Sequence, residues 1–178
     1  DLFHLSSGYS TDAEGRRNVF TWNRQRIPDP ATMAARFHSR GIRLTPNIKP
    51  YLLTTHPHYD DLAARGGFIR SASGDRPELN LFWSGGAYQT APGSYVDFSS
   101  RAGYTWWQAR IANALLDHGI DAIWNDNNEF EVWDDSAQAD GFGQPIPMGM
   151  ARPIQTLLMG CCSYEALAQR RPDERPFV

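Results

Sequence analysis

Apolar positions along this chain fall into short runs, and polar, Gly- and Pro-rich stretches separate them. Leu2 to Leu5 read as a short strand. The polar stretch from Ser6 to Arg17 reads as loop, and Val19 to Trp22 as a short extended piece. Ile27-Pro28-Asp29-Pro30 stops that piece and starts a helix, with Asp29 as cap and Pro30 in the first turn. Met33, Ala34 and Phe37 then share one helical face, Gly41 ends the helix, and Ile42 to Ile48 reads as a buried strand. From Lys49 to Tyr95 the pattern turns irregular, with apolar fragments at Gly67–Ile69 and Leu79–Trp83. That span is too long for a simple connection, so residues 49–95 are expected to be an insertion with a small sheet of their own. Ser99-Ser100 are expected to cap a helix carrying Tyr104, Trp107, Ile111 and Leu115 on one face. It ends at Gly119, and Ile120 to Trp124 reads as the next strand. A last helix is expected from Pro153 to about Arg170, with Ile154, Leu157, Leu158, Cys161 and Leu167 on its apolar face, and Pro176-Phe177-Val178 starts another strand. Strand and helix alternate, which implies an α/β fold with a parallel sheet and helical crossovers.

In such a fold the chemistry sits at the carboxyl ends of the strands. The segment Gly119-Ile120-Asp121-Ala122-Ile123-Trp124-Asn125-Asp126-Asn127-Asn128-Glu129 puts Asp126 and Glu129 there. A carboxylate in that place can be a nucleophile, an acid/base, a sugar-hydroxyl acceptor or a metal ligand. Asp and Asn after a strand also simply turn the chain or cap the next helix. In the run Tyr95-Val96-Asp97-Phe98, read as a strand, Asp97 stands at the end and has both options open, the site or a cap together with Ser99.

Composition narrows the classes. Net charge is −3, Lys49 is the single lysine, and no basic run exists, so no nucleic-acid face is legible. Aromatics reach 12%, enough to supply both a core and flat surfaces for stacking on sugars. No apolar run approaches membrane-spanning length, so no membrane partner is expected. Cysteine occurs only as Cys161-Cys162, a spacing that suits neither a bridge nor a metal site. Both are read as small buried groups, which favours a reducing, cytoplasmic setting. The chain opens in a strand without Met and closes as another strand begins. Both ends therefore look cut from inside a fold, and the rest of the polypeptide is expected as a partner; a homo-oligomer is left open.

Trp124-Asn125-Asp126-Asn127-Asn128-Glu129 resembles the Trp-x-Asp-Met-Asn-Glu signature of glycoside hydrolase family 31, the α-glucosidase and α-xylosidase family. Phe20-Thr21-Trp22-Asn23 with Ile27-Pro28-Asp29-Pro30, then Asp97-Phe98-Ser99 with Trp106-Trp107, and finally Arg175-Pro176-Phe177-Val178 resemble further motifs of that family, in its order. The resemblance runs end to end. It implies a partial (β/α)8 TIM barrel, about strands 2 to 5, with the insertion after the third. It also implies a retaining reaction in which Asp126 is the nucleophile and forms a glycosyl ester that water hydrolyses. The family's acid/base lies in a Trp-x-Gly-Asp motif beyond the Arg-Pro-Phe-Val strand, and no such motif precedes Val178. Two departures bear on the sugar. The usual Met after the nucleophile is Asn127, and the family's Asp-Ile-Asp-Tyr segment is replaced by Ser6-Ser7-Gly8-Tyr9.

Around Asp126 the substrate-binding candidates are Glu129, Asn127, Asp97, Lys49 and Trp83. Lys49 stands at a strand end, where it can meet sugar hydroxyls or form a structural ion pair. Trp83 can wall a leaving-group sugar or pack within the small sheet. His56-Pro57-His58 with Asp60-Asp61 lacks further ligands at fixed spacing, so neither a metal nor a cofactor is expected. His4 and His38 read as structural. Two other functions compete with an α-glycoside hydrolase: an inactive sugar-binding or structural segment, and a lyase or transglycosylase using the same nucleophile.

Overall fold

A computed structural model describes residues 1–87 and 89–178. Strand β1 (Leu2–Leu5) pairs in parallel with β2 (Arg43–Ile48), and β2 pairs in parallel with β6 (Trp124–Asn125), giving a three-stranded sheet in the order β1-β2-β6. Helix α1 (Pro30–His38) makes the first crossover. Asp29 caps it by accepting from the Thr32 N–H, and Pro30 occupies the first turn. In β2 every residue after Arg43 is buried, as a strand covered on both faces should be.

The stretch after β2 folds a second sheet, antiparallel, in the order β3 (Tyr51–Leu53), β5 (Thr90–Tyr95), β4 (Asn80–Trp83). A short helix, α2 (Tyr59–Ala64), lies between β3 and β4 along the chain. Tyr51 stacks on Phe82 at 3.9 Å between ring centroids, and Tyr95 meets both edge-on, so the aromatic content here builds core. The second crossover is α3 (Arg101–Arg110), continued by a π turn over Ile111–Leu115 and a 3-10 turn over Leu116–His118. Trp107, Ile111 and Leu115 on its inner face are fully buried. Gly119 ends it at φ +86°, a left-handed conformation suited to glycine. A Cβ there would approach the Ala34 side chain at 2.9 Å, so α1 and α3 close on that glycine. A two-stranded ribbon, β7 (Gln138–Ala139) with β8 (Ile146–Pro147), leads into α4 (Met148–Arg170).

Several expectations are corrected. Val19–Trp22 is a turn rather than a strand, with Phe20 at φ +62° and buried against Trp106 and Trp107. Strand β6 is shorter than Ile120–Trp124, because the Asp121 and Ala122 N–H groups both go to the Leu44 carbonyl and interrupt the ladder. Neither serine caps α3 through its side chain: Ser100 donates to the Gly66 carbonyl, and Ser99 to Asp97. Helix α4 begins at Met148 and contains Pro153. Its buried face is rotated from the expected one. Ala151, Gln155, Met159, Cys162 and Leu167 are buried, while Ile154, Leu157 and Cys161 are exposed. The polar Gln155 faces the core because the buried backbone of Phe98 needs its carbonyl, which hydropathy spacing does not encode. No helix among the described residues is long and apolar enough to cross a membrane.

Candidate active site

Parallel pairing of Asn47 with Trp124 and Ile48 with Asn125 fixes the register at the carboxyl ends of β2 and β6. The Asp126 N–H continues it with a 2.9 Å bond to the Ile48 carbonyl. Asp126 therefore leaves the sheet beside Lys49, the first residue past β2. Asn47 Nδ2 donates to Asp126 Oδ2 at 2.5 Å, and Lys49 Nζ donates to the same oxygen and to Asn127 Oδ1. Both donors use Oδ2 and leave Oδ1 untouched. The Asp126 side chain is 30% exposed, so it can be reached from solvent.

Burial pushes the Asp126 carboxyl upward. The hydrogen bonds from Lys49 and Asn47, the Lys49 charge and the Asn127 N–H together outweigh it, and the carboxyl lies below its ordinary value. A carboxylate held ionised in this way suits nucleophilic attack better than proton donation. Tyr9, in the 3-10 turn Ser7–Ser10, donates to the Asn47 carbonyl at 3.1 Å and ties the first loop to β2.

After Asp126 the chain turns sharply. Asn127 lies at φ +52° and Phe130 at φ +53°. Asn tolerates that region; Phe130 is held there by complete burial against Tyr95 and Phe98. The Tyr95 hydroxyl accepts from the Glu131 N–H at 3.2 Å, and Thr156 of α4 donates to the Asn128 carbonyl. This anchoring leaves Asn127 and Glu129 exposed on the rim. A cavity of about 180 Å³ follows, lined by Asn127, Glu129, Glu131, Trp83, Tyr51 and Trp133. Trp83 is 54% exposed and Trp133 89%, so both indoles reach solvent beside Glu129 and Glu131.

Asp126, Lys49, Asn127, Glu129 and Trp83 are thus gathered into one region, but Asp97 is not. Asp97 is 1% exposed, and its carboxylate accepts from Ser99 N–H and Oγ, the Asp140 N–H and Gln155 Nε2. With those donors around it and almost no surface, Asp97 anchors the loop before α4 rather than meeting a ligand. His56 is buried and bonds the Val19 carbonyl at 2.9 Å, while His58 contacts Arg110. His4 meets Trp124 edge-on, and His38 pairs with Asp121. Asn47 was not legible as a site residue. Its signal was a polar side chain at the end of an otherwise buried strand.

Residues 1–178 match the profile of the glycosyl hydrolases family 31 TIM-barrel domain. Among curated relatives, α-xylosidase XylQ of Lactiplantibacillus pentosus is 26% identical over 129 residues, covering 72% of this chain and 16% of that protein. Alpha-glucosidase 2 of Bacillus thermoamyloliquefaciens is 24% identical over 183 residues, covering 98% and 21%. The fold matches a Tris-bound glucosidase II alpha subunit with a TM-score of 0.77 at 22% identity, over 100% of this chain and 19% of that one. It also matches a Flavobacterium johnsoniae dextranase complexed with isomaltotriose, with a TM-score of 0.79 at 13% identity, over 98% and 21%. The chain spans about a fifth of the length of these proteins.

Proposed function

The chain belongs to glycosyl hydrolase family 31, and from that premise we propose that it carries the nucleophile of a retaining α-glycoside hydrolase. The observation that supports this best is Asp126 itself, reachable from solvent at the end of a parallel strand and held through one oxygen by Lys49 and Asn47, contacts that favour its charged form. Oδ1 attacks the anomeric carbon and the glycosidic bond to the leaving oxygen breaks. Water then cleaves the glycosyl ester and regenerates the carboxylate. Protonation of the leaving oxygen needs a second carboxyl, about 5–5.5 Å from the first in retaining enzymes. We assign that acid to none of residues 1–178. Glu129 and Asn127 accept or donate hydrogen bonds to sugar hydroxyls, and Trp83 receives the leaving group on its face.

The same proposal extends to architecture. Strands β1, β2 and β6, followed by the segment at Phe177, correspond to barrel strands 2 to 5, and residues 49–95 are an insertion after the third. Support comes from the parallel order and from the Ile123 N–H, which bonds the Phe177 carbonyl at 3.1 Å and puts the chain's end beside β6.

Asp126→Ala in the full-length protein is expected to fold normally and lose nearly all turnover. Azide should restore part of it and give a product of opposite anomeric configuration. Glu129→Gln should be milder than Asp126→Asn, because only Asp126 forms a covalent bond. Trapping with a slow fluorinated α-glycoside, then peptide mapping, locates the ester. A label on Glu129, or a β-anomer as the first product of the unmutated protein, would overturn the assignment.

A further inference from the structure

Beside the Asp126 cluster is a small space of about 10 Å³, bordered by Ser7, Ser10, Arg17, Asn47, Lys49 and Tyr51. Three polar atoms of these bordering residues are buried without a hydrogen-bond partner among the described residues: Arg17 Nε, Arg17 Nη1 and Asn47 Oδ1. Two are donors and one is an acceptor. Asn47 is 6% exposed, and its amide orientation is fixed, since the opposite one would turn an oxygen toward the Asp126 carboxylate. No carboxylate pairs with Arg17 among the described residues.

The fold holds Arg17 in place from several sides. Its N–H bonds the Ser84 carbonyl at 2.7 Å, and its guanidinium lies 5.4 Å from the Trp83 ring. Gly85, at φ +74°, leaves room for it; a Cβ there would approach Nη1 at 2.8 Å. A buried polar group without a partner is destabilising, and a charged one more so, so orphans on two residues that border one space point to an occupant. The volume is that of a single oxygen, about what one water requires. An anion would satisfy Arg17 but would face the Asn47 carbonyl with a second acceptor. A hydroxylic oxygen satisfies all three atoms.

We propose that this space binds one neutral oxygen, of a water or of a sugar hydroxyl, which accepts from Arg17 and donates to Asn47. Arg17 is thereby a positioning residue. It acts through the oxygen on Asn47, whose Nδ2 holds the Asp126 carboxylate in line. This rests on Asp126 being the nucleophile only for its catalytic consequence, not for the oxygen itself.

The test is a high-resolution structure of the full-length protein, free and with a bound iminosugar, with kinetics of Arg17→Met and Arg17→Lys on aryl α-glycosides and their monodeoxy analogues. Density is expected within hydrogen-bond distance of Arg17 Nη1 and Asn47 Oδ1. Arg17→Met should lose it and lower kcat about tenfold with little change in KM, the scale of one lost hydrogen bond, and Arg17→Lys should recover part of that. Density that persists beside the iminosugar identifies a resident water. Displacement of the density, with one monodeoxy substrate about tenfold poorer on the wild type but not on Arg17→Met, identifies a sugar hydroxyl. An empty space in both structures overturns the proposal, even if Arg17→Met fails to fold. An Asp126→Ala protein that keeps its activity would instead overturn the nucleophile assignment and leave the density result standing.

Discussion

As the proposed nucleophile, Asp126 would attack only as a carboxylate, so whatever keeps it ionised would set the acid limb of the pH profile. Lys49 contributes both a hydrogen bond and a charge to that state. Lys49→Met is therefore expected to move the acid limb of kcat/KM upward by about one pH unit, since each unit corresponds to about 1.4 kcal/mol of lost preference for the charged form. A pH profile of the variant checks this; an unmoved limb would leave Lys49 a bystander. His56 makes a separate prediction about stability. It is buried, its ring bonds the Val19 carbonyl, and burial lowers it from 6.5 to about 4. Below about 6.5 the unfolded chain takes up a proton that the folded chain refuses. Its contribution is thus complete above about 6.5 and lost as pH falls toward 4, by about 3 kcal/mol at most. Urea unfolding of the full-length protein at several pH values should show that slope, and His56→Gln should flatten it. At this scale Asp126, Glu129 and Lys49 were legible as strand-end residues. Asn47 and Arg17 were not, because Asn47 counts through the donor it turns to Asp126 and Arg17 through atoms that lack partners.

At the scale of elements, the loop from β6 to α4 carries Asn127 and Glu129 and has little regular structure of its own. It is held from outside. Arg152 of α4 donates to the Val132 carbonyl, Thr156 to Asn128, and Asp97 accepts the Asp140 N–H. Asp97→Ala would strand the Ser99 and Asp140 N–H groups and the Gln155 amide in a buried place. A loss of about 3–5 kcal/mol is expected, since each buried donor left without an acceptor costs about 1–3 kcal/mol. Asp97→Asn should cost less, because it keeps one acceptor oxygen. Thermal melts of the two variants would decide whether Asp97 is an anchor; a stable Asp97→Ala with weakened sugar binding would return it to the site. The hydropathy pattern located α4 but not its start or its inner face. Pro153 looked like a beginning, and the buried Gln155 and Ser163 broke the expected stripe.

For the whole molecule, the parallel sheet has three strands and open edges among the described residues. Phe3, Ile154, Leu157 and Phe177 are left exposed, each large and apolar. Covering a side chain of this kind is worth about 1.5–3 kcal/mol, against a typical net stability of about 5–15 kcal/mol. Residues 1–178 expressed alone are therefore expected to be poorly soluble and to hydrolyse no aryl α-glycoside. Sedimentation and a hydrolysis assay test both points. A soluble, cooperatively melting, active 178-residue protein would show that a complete acid/base pair lies within it.

The sequence by itself determined the alternation of strand and helix, the family, and the carboxylate at the end of β6. These follow from spacing, caps and a local signature, which are properties of neighbours along the chain. Only the tertiary structure decided which strand-end groups meet. Asn47 and Lys49 reach Asp126 across 79 and 77 residues of chain, while Asp97 is drawn inward by Gln155 from 58 residues away. Hydropathy records whether a side chain prefers water. It does not record which donor stands opposite which acceptor once the strands are side by side, and that pairing leaves Asp126 within reach of solvent and Asp97 buried as an anchor.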